Sequence, residues 1–437
     1  MSDTNRTAAG EPAVETFELL ESRVRSYSRN FPAIFDRAQG SWLISRDGEK
    51  YLDFLMGCSS LNYGHNHPVL KDALVDYITG DGITHSLDMH SSAKERFLFE
   101  FHETVLKPRE LDYVLQFPGP TGANAVEAAM KLARKVTGRQ NVIAFTNGFH
   151  GVTLGALAAT GNQHHRGGAG VELGGVTRMP YDGYMGDELD TADYLDRVLS
   201  DPSSGVDAPA AILVEAVQGE GGLNAASDEW LRKIEKIARE HGALLILDDI
   251  QAGVGRCGTF FSFEPSGIRP DIVTLAKSVS GYGLPMALVL IDRKHDDWLP
   301  GEHNGTFRGN CHAFVTARAA LEHFWRDRDQ AEATLADKSA KLEAGLEAII
   351  ARNKSAGIAM KGRGMMRGLQ MPSGEFAGEV ISHAYENGLV IESAGPEDEV
   401  VKCLVALTIS DEELAKGLTI LGDAVDAVAA RHDRQAA

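Results

Sequence analysis

A two-part α/β protein built around a mostly parallel sheet is predicted by three features of this sequence. Short apolar runs at 113–117, 142–145, 211–214, 244–247, 272–275 and 287–291 have the length and composition of strands buried on both faces. Helical segments separate them. In 228–241, for example, Trp230, Leu231, Ile234 and Ile237 share one face, Ser227 stands at the N-cap and Gly242 ends the segment. The chain has 437 residues, which at roughly 100–200 residues per domain suggests two or three domains. Strands alternating with helices give βαβ units whose sheet is covered on both sides.

Along the chain, residues 1–13 are polar and small, the composition of an unstructured tail. A helix and a short strand are predicted between 14 and about 46. The stretch 51–56 ends in the loop Gly57-Cys58-Ser59-Ser60, which leads into Asn62-Tyr63-Gly64-His65-Asn66-His67-Pro68. After the alternating middle, a long helix is predicted from about Ala317 and continues through 331–350. Two short strands at 360–370 and 388–391 then belong to a smaller α/β unit, closed by a helix from about Asp411. The division expected is an N-terminal arm and part of the small domain at 1–58, a large domain at 59–318 and the C-terminal small domain at 319–437.

The net charge of −19 offers no general route to nucleic acid phosphates or anionic lipid surfaces. An anionic ligand must therefore be held by a local device. No apolar run approaches the roughly 20 residues that span a bilayer, and the polar start, Met1-Ser2-Asp3-Thr4-Asn5, lacks a signal-peptide core. A cytoplasmic location is expected. Cys58, Cys257, Cys311 and Cys403 lie far apart without a CxxC pair, so free thiols and no metal site are expected.

Three segments carry candidate chemistry. Pro118-Gly119-Pro120-Thr121-Gly122-Ala123 follows an apolar run and opens a helix. Small residues let backbone N–H groups approach an anion, and a helix N-terminus adds about half a positive charge. The stretch matches neither Walker A nor GxGxxG, so by itself it reads equally as a phosphate cup or a plain strand-to-helix turn. Asp248 follows the run 244–247 at the carboxyl edge of the predicted sheet, where α/β proteins bind ligands. A carboxylate buried there needs a cation, such as a protonated pyridine nitrogen. A metal would also serve, although no His or Cys cluster is near, and helix capping is the plain alternative. Lys277 ends the next run and enters a small-residue loop, where partial desolvation frees an amine to attack a carbonyl. A strand-end lysine can equally extend to solvent. Cup, acid and amine together are the three parts that pyridoxal 5′-phosphate (PLP) requires.

The order of motifs resembles the class III (ω-amino acid) aminotransferases of fold type I over most of the chain. The matching motifs include Gly64-His65-Asn66-His67-Pro68, Thr121-Gly122-Ala123, Gly148-Phe149-His150-Gly151, Glu215 through Gln218-Gly219-Glu220-Gly221-Gly222, Asp248 with Gln251, Gly253-Val254-Gly255-Arg256, Lys277 and Thr306. The resemblance implies a large PLP-binding domain with a mostly parallel sheet and a smaller α/β domain formed by the N- and C-terminal segments. It implies that Lys277 forms the Schiff base and shuttles the proton, and that Asp248 pairs with the pyridine nitrogen. Phe149 would stack on the ring, with His150 beside it in the same motif; taken alone, Phe149 reads as a core residue. Gln251 would contact the phenolic oxygen. Thr121, Gly122 and Ala123 would hold the phosphate, joined by Thr306 of a second subunit. That last role requires a homodimer or a higher even-numbered homo-oligomer.

Within the family the chain looks similar to the 2,4-diaminobutyrate:2-oxoglutarate 4-aminotransferases. The stretches that carry this are Leu61-Asn62-Tyr63-Gly64-His65, Asp81 through Met89, Phe117 through Gly122, and Gly301 through Asn310. The implied reaction interconverts L-glutamate plus L-aspartate 4-semialdehyde and L-2,4-diaminobutyrate plus 2-oxoglutarate. Ornithine, 4-aminobutyrate and other terminal amines are alternatives, and a PLP aminomutase or racemase would keep the same lysine and acid. Two positions depart from the pattern. In ornithine- and 4-aminobutyrate-type members a glutamate pairs with an arginine as a gate. Here Glu220 matches the glutamate, but Lys402 takes the arginine's place, a point charge without the bidentate fork. Cys58 is expected to line the substrate side, or else to be a spectator thiol. Arg308 is a candidate for gripping a substrate carboxylate, with a surface or interface salt bridge as its alternative.

Overall fold

The computed structural model describes residues 15–186 and 188–436, so the polar tail at 1–13 lies outside the described residues. The N-terminal strands are β1 (Phe35–Gln39), β2 (Trp42–Ser45) and β3 (Lys50–Asp53). The middle of the chain supplies β4 (Tyr113–Gln116), β5 (Val142–Phe145), β6 (Val176–Met179) and β7 (Ala211–Val214). It continues with β8 (Leu244–Asp248), β9 (Ile272–Leu275) and β10 (Leu288–Asp292). The C-terminal strands are β11 (Ala359–Arg363), β12 (Met366–Gln370), β13 (Leu389–Val390), β14 (Glu392–Ala394) and β15 (Val400–Cys403).

The large sheet has the order β4-β10-β9-β8-β7-β5-β6. From β9 through β6 all neighbours pair in parallel, and β10 runs antiparallel to both β4 and β9. The sheet is thus mostly parallel, as the apolar runs predict. Side chains alternate between its two faces: Leu245, Leu247, Val273 and Leu275 join one core, while Leu244, Ile246 and Ile272 join the other. That two-sided burial is why these strands read as unbroken apolar runs rather than alternating ones. β6 escapes the sequence reading because Val-Thr-Arg-Met at a sheet edge has only Met179 fully buried.

Local signals place most helices. The segment predicted at 228–241 is a helix over Asp228–Glu240, with Ser227 Oγ accepting the Trp230 N–H at 3.2 Å. The long helix differs from expectation. It begins at Cys311 rather than near Ala317, because Asn310 Oδ1 accepts the N–H groups of His312 and Ala313. It also breaks after Phe324, where the Trp325 indole donates to Tyr63 Oη at 2.7 Å, and restarts over Arg328–Arg352 under an Asp327 cap. The predicted strand at 360–370 is a hairpin of β11 and β12 that turns at Gly364, φ 64°. Near the N-terminus a short helix, Glu15–Leu20, precedes a β1–β2 hairpin where a single strand was expected.

Two smaller sheets flank the large one, in the orders β1-β2-β3-β13 and β11-β12-β15-β14. β13 pairs in parallel with β3, Leu389 opposite Leu52, so the two ends of the chain share one sheet and form a smaller α/β part together. The helix Asp411–Ala436 closes that part where a helix from about Asp411 is predicted.

Candidate active site

β8 and β9 are adjacent and parallel, with Asp248 opposite Thr274. Their carboxyl ends therefore deliver Asp248 and, two residues beyond Leu275, Lys277 to the same rim. Lys277 has a left-handed backbone, φ 52°, which costs a non-glycine residue about 1–2 kcal/mol. It opens the short 3₁₀ turn Lys277–Ser280, which is anchored by Ser278 Oγ donating to the Ser59 carbonyl. A cavity of about 400 Å³ spans this rim. Thr121, Gly122, Ala123, Phe149, His150, Glu220, Asp248, Gln251 and Lys277 all line it. Nine sequence-predicted residues thus meet in one place.

Across the cavity, the helix Gly122–Thr137 begins under a capping box: Thr121 Oγ1 accepts the Asn124 N–H, and the Asn124 side chain answers at the Thr121 N–H. A Cβ at Gly119 would lie 2.5 Å from Asn124 Oδ1, so only glycine leaves room for that reciprocal contact. The free N–H groups and the helix dipole make this end of the cavity a place for an anion.

Asp248 is buried, and its Oδ2 lies 2.7 Å from His150 Nδ1, while Oδ1 accepts the Ile250 N–H at 3.2 Å. Burial works against a charged His150, but the Asp248 carboxylate and then Glu215 outweigh it and raise the imidazole above its ordinary range. Glu215 Oε2 accepts the Phe149 N–H at 3.0 Å, and burial pushes the Glu215 acid up to about 7. His150 therefore stands behind Asp248 as its buried hydrogen-bond partner, 2.7 Å away.

On the opposite wall Gln251 Nε2 donates to Glu220 Oε1 at 2.9 Å, and Lys402 Nζ meets the same oxygen at 2.8 Å. Lys402 is fully buried, and its Nζ is also 3.1 Å from Glu392 Oε1. Burial alone would raise the Glu220 acid; Lys402 and Lys277 outweigh it and draw it down to about 2. The gate positions noted in the sequence are thus joined, with a second carboxylate on the far side of the lysine.

Cys58 lies one layer outside the cavity. Its carbonyl is 3.4 Å from Gln251 Nε2, and its thiol sits 2.8 Å from Tyr27 Oη and 3.7 Å from Glu392 Oε2. Burial and the Glu392 carboxylate push the thiol up to about 12, so it is no nucleophile. It belongs to four successive residues with positive φ, Met56 (46°), Gly57 (55°), Cys58 (53°) and Ser59 (69°). The fully buried Arg256 ties this left-handed turn to the C-terminal part: Nε donates to Ser59 Oγ at 3.0 Å and Nη1 to the Val405 carbonyl at 2.5 Å. Burial lowers its guanidinium to about 9.

Thr306 and Arg308 do not join the cavity of their own chain. Thr306 is exposed, and Arg308 Nη1 donates to Asn304 Oδ1 at 3.1 Å. Glu392 and Tyr27 were missed as site residues, and no local signal marks either. Glu215 opens a matched motif, but its contact with Phe149 becomes visible only in three dimensions.

A mixed seven-stranded sheet with an acid and an amine on adjacent parallel strand ends, facing a helix N-terminus, is the architecture of the fold type I transferases. The family profile of the class-III aminotransferases matches residues 24–425, and the chain belongs to that family. The diaminobutyrate–2-oxoglutarate transaminase of Vibrio parahaemolyticus is 57% identical over 423 residues, covering 97% of this chain and 100% of that protein. The protein of the same description from Halalkalibacterium halodurans is 53% identical over 415 residues, covering 95% and 97%. Among solved structures, the ornithine aminotransferase of Toxoplasma gondii superposes with a TM-score of 0.81 at 26% identity and covers 96% of each chain.

Proposed function

We propose that this chain transfers the terminal amino group between L-2,4-diaminobutyrate and 2-oxoglutarate, with L-aspartate 4-semialdehyde and L-glutamate as the other pair. The observation that carries the reading is the convergence of Lys277, Asp248 and the Thr121–Ala123 turn on one cavity. The diaminobutyrate assignment is supported by relatives 52–57% identical over nearly the whole chain. PLP is the cofactor the site fits. The cavity volume suits a small cofactor, a dry carboxylate stands where a cationic ring nitrogen would lie, and Gln251 Oε1 is buried without a hydrogen-bond partner among the described residues.

When bound, PLP supplies an electron sink for the bond broken at the amine-bearing carbon. Asp248, held in place by His150, would hold the proton on the ring nitrogen. Backbone N–H groups at Gly122 and Ala123, with the Thr121 hydroxyl, would grip the phosphate, and Phe149 would cover one face and exclude water. Lys277 Nζ would anchor the cofactor covalently and then move the proton to and from the substrate carbon. Glu220 lines the cavity with the fully buried Lys402 behind it, and a substrate carboxylate would compete with Glu220 for that lysine.

Thr306, exposed in its own chain, and the half-buried Arg308 would serve the cavity of a second copy, Thr306 on the phosphate and Arg308 on a substrate carboxylate. A homodimer or higher even-numbered assembly is part of this reading. So are a cytoplasmic location and the division at 1–58, 59–318 and 319–437. Among the described residues no helix is long and apolar enough to cross a membrane. A panel of ω-amines supplied with 2-oxoglutarate and read by glutamate formation tests the assignment. Preference for 2,4-diaminobutyrate is expected; preference for ornithine or 4-aminobutyrate contradicts it.

A further inference from the structure

We propose that Glu392 determines specificity. With Glu220 it leaves the buried Lys402 facing two carboxylates, and the unbalanced negative charge selects substrates that carry a second ammonium group. This rests on the diamino-acid reading above and deepens it.

The placement comes from strand register. β14 and β15 pair antiparallel with Glu392 directly opposite Lys402, so the two side chains emerge on one face. Lys402 Nζ lies 2.8 Å from Glu220 Oε1 and 3.1 Å from Glu392 Oε1. Lys402 is 0% exposed and Glu392 6%. Two carboxylates around one cation in a dry wall are unfavourable unless a further cation arrives.

The trio is next to the reacting amine. Gln251 lines the cavity with Lys277 and Glu220, and its amide spans Glu220 Oε1 and the Cys58 carbonyl; the Cys58 thiol in turn touches Glu392 Oε2. The titratable groups around Glu392 are Tyr27, Cys58, Glu220, Lys277 and Lys402, and only the two lysines are cations. Once Lys277 is engaged with cofactor, Lys402 alone balances both acids. Burial pushes the Glu392 acid up against the pull of Lys402.

Two substrates isolate the effect. 2,4-Diaminobutyrate and 4-aminobutyrate share a reactive terminal amine and a carboxylate and differ only in the second ammonium. In Glu392→Gln the ratio of their kcat/KM values should fall about tenfold or more, the scale of a charged contact, and Glu392→Asp should restore most of it. Equal loss on both substrates, or an unchanged ratio, overturns the proposal. A second readout needs no variant and no turnover. By calorimetry, the full-length chain should bind 1,3-diaminopropane about tenfold or more tighter than propylamine; equal affinities overturn the proposal even if Glu392→Gln fails to fold. A wild-type enzyme inactive on 2,4-diaminobutyrate sinks the substrate assignment, and the diamine affinities still decide the role of Glu392.

Discussion

Asp248 and Asp249 are neighbours at the end of one strand, both buried, and they meet opposite surroundings. Asp248 faces the cavity and has His150 at 2.7 Å. Asp249 faces the other way, where its carboxylate accepts the Ser262 N–H at 3.0 Å, and burial pushes it up to about 7. Asp248→Asn, which removes the charge but keeps the shape, should cut turnover by on the order of 10²–10³, measured as kcat with folding checked by circular dichroism. For Asp249 the effect is on stability. The unfolded chain loses this proton near pH 4, whereas the folded chain keeps it until about pH 7. The native state therefore binds more protons in that window, and the group lowers stability as pH rises from about 4 to about 7. Asp249→Asn should melt higher than wild type at pH 8, with the advantage vanishing near pH 4; a pH-independent difference in melting temperature contradicts this. Asp248 and Lys277 were legible because an apolar run ending in a charge is unusual. The partnership of Asp248 with His150 was not, because it joins positions 98 residues apart.

At the scale of elements, the left-handed turn Met56–Ser59 lies just outside the cavity beside Glu392 of β14, and Arg256 joins it to the Val405 carbonyl just beyond β15. Its removal would leave the Ser59 hydroxyl and the Val405 carbonyl without their donor, at about 1–3 kcal/mol for each buried group left unpaired. Arg256→Ala should lower the melting temperature by about 3 °C or more, and Lys should recover part of the loss. An unchanged melting temperature would mean that the turn holds itself. This region was the least legible. Lys402 was matched to Glu220 by motif, but the register that puts Glu392 beside it is a tertiary fact. The break near Trp325 is of the same kind, set by Tyr63 from a distant part of the chain. Capped helices such as Asp228–Glu240, whose signals are local, were legible to within a residue.

For the whole molecule, a chain of net charge −19 would hold an anionic ligand with a helix N-terminus and a few placed cations rather than a broad positive surface. The two chain ends are joined by β3–β13 pairing, which the alternating pattern of the middle does not show. Thr306 and Arg308 do not line their own chain's cavity, so the complete site is expected to need a second copy. Light scattering should give twice the chain mass or an even multiple of it, and Thr306→Ala should weaken cofactor binding; a monomer with full activity contradicts the shared site. The most direct test of the central claim is borohydride reduction of the cofactor-loaded enzyme followed by peptide mass mapping. The pyridoxyl group should be found on Lys277. Its recovery on any other lysine, or on none, would contradict the account.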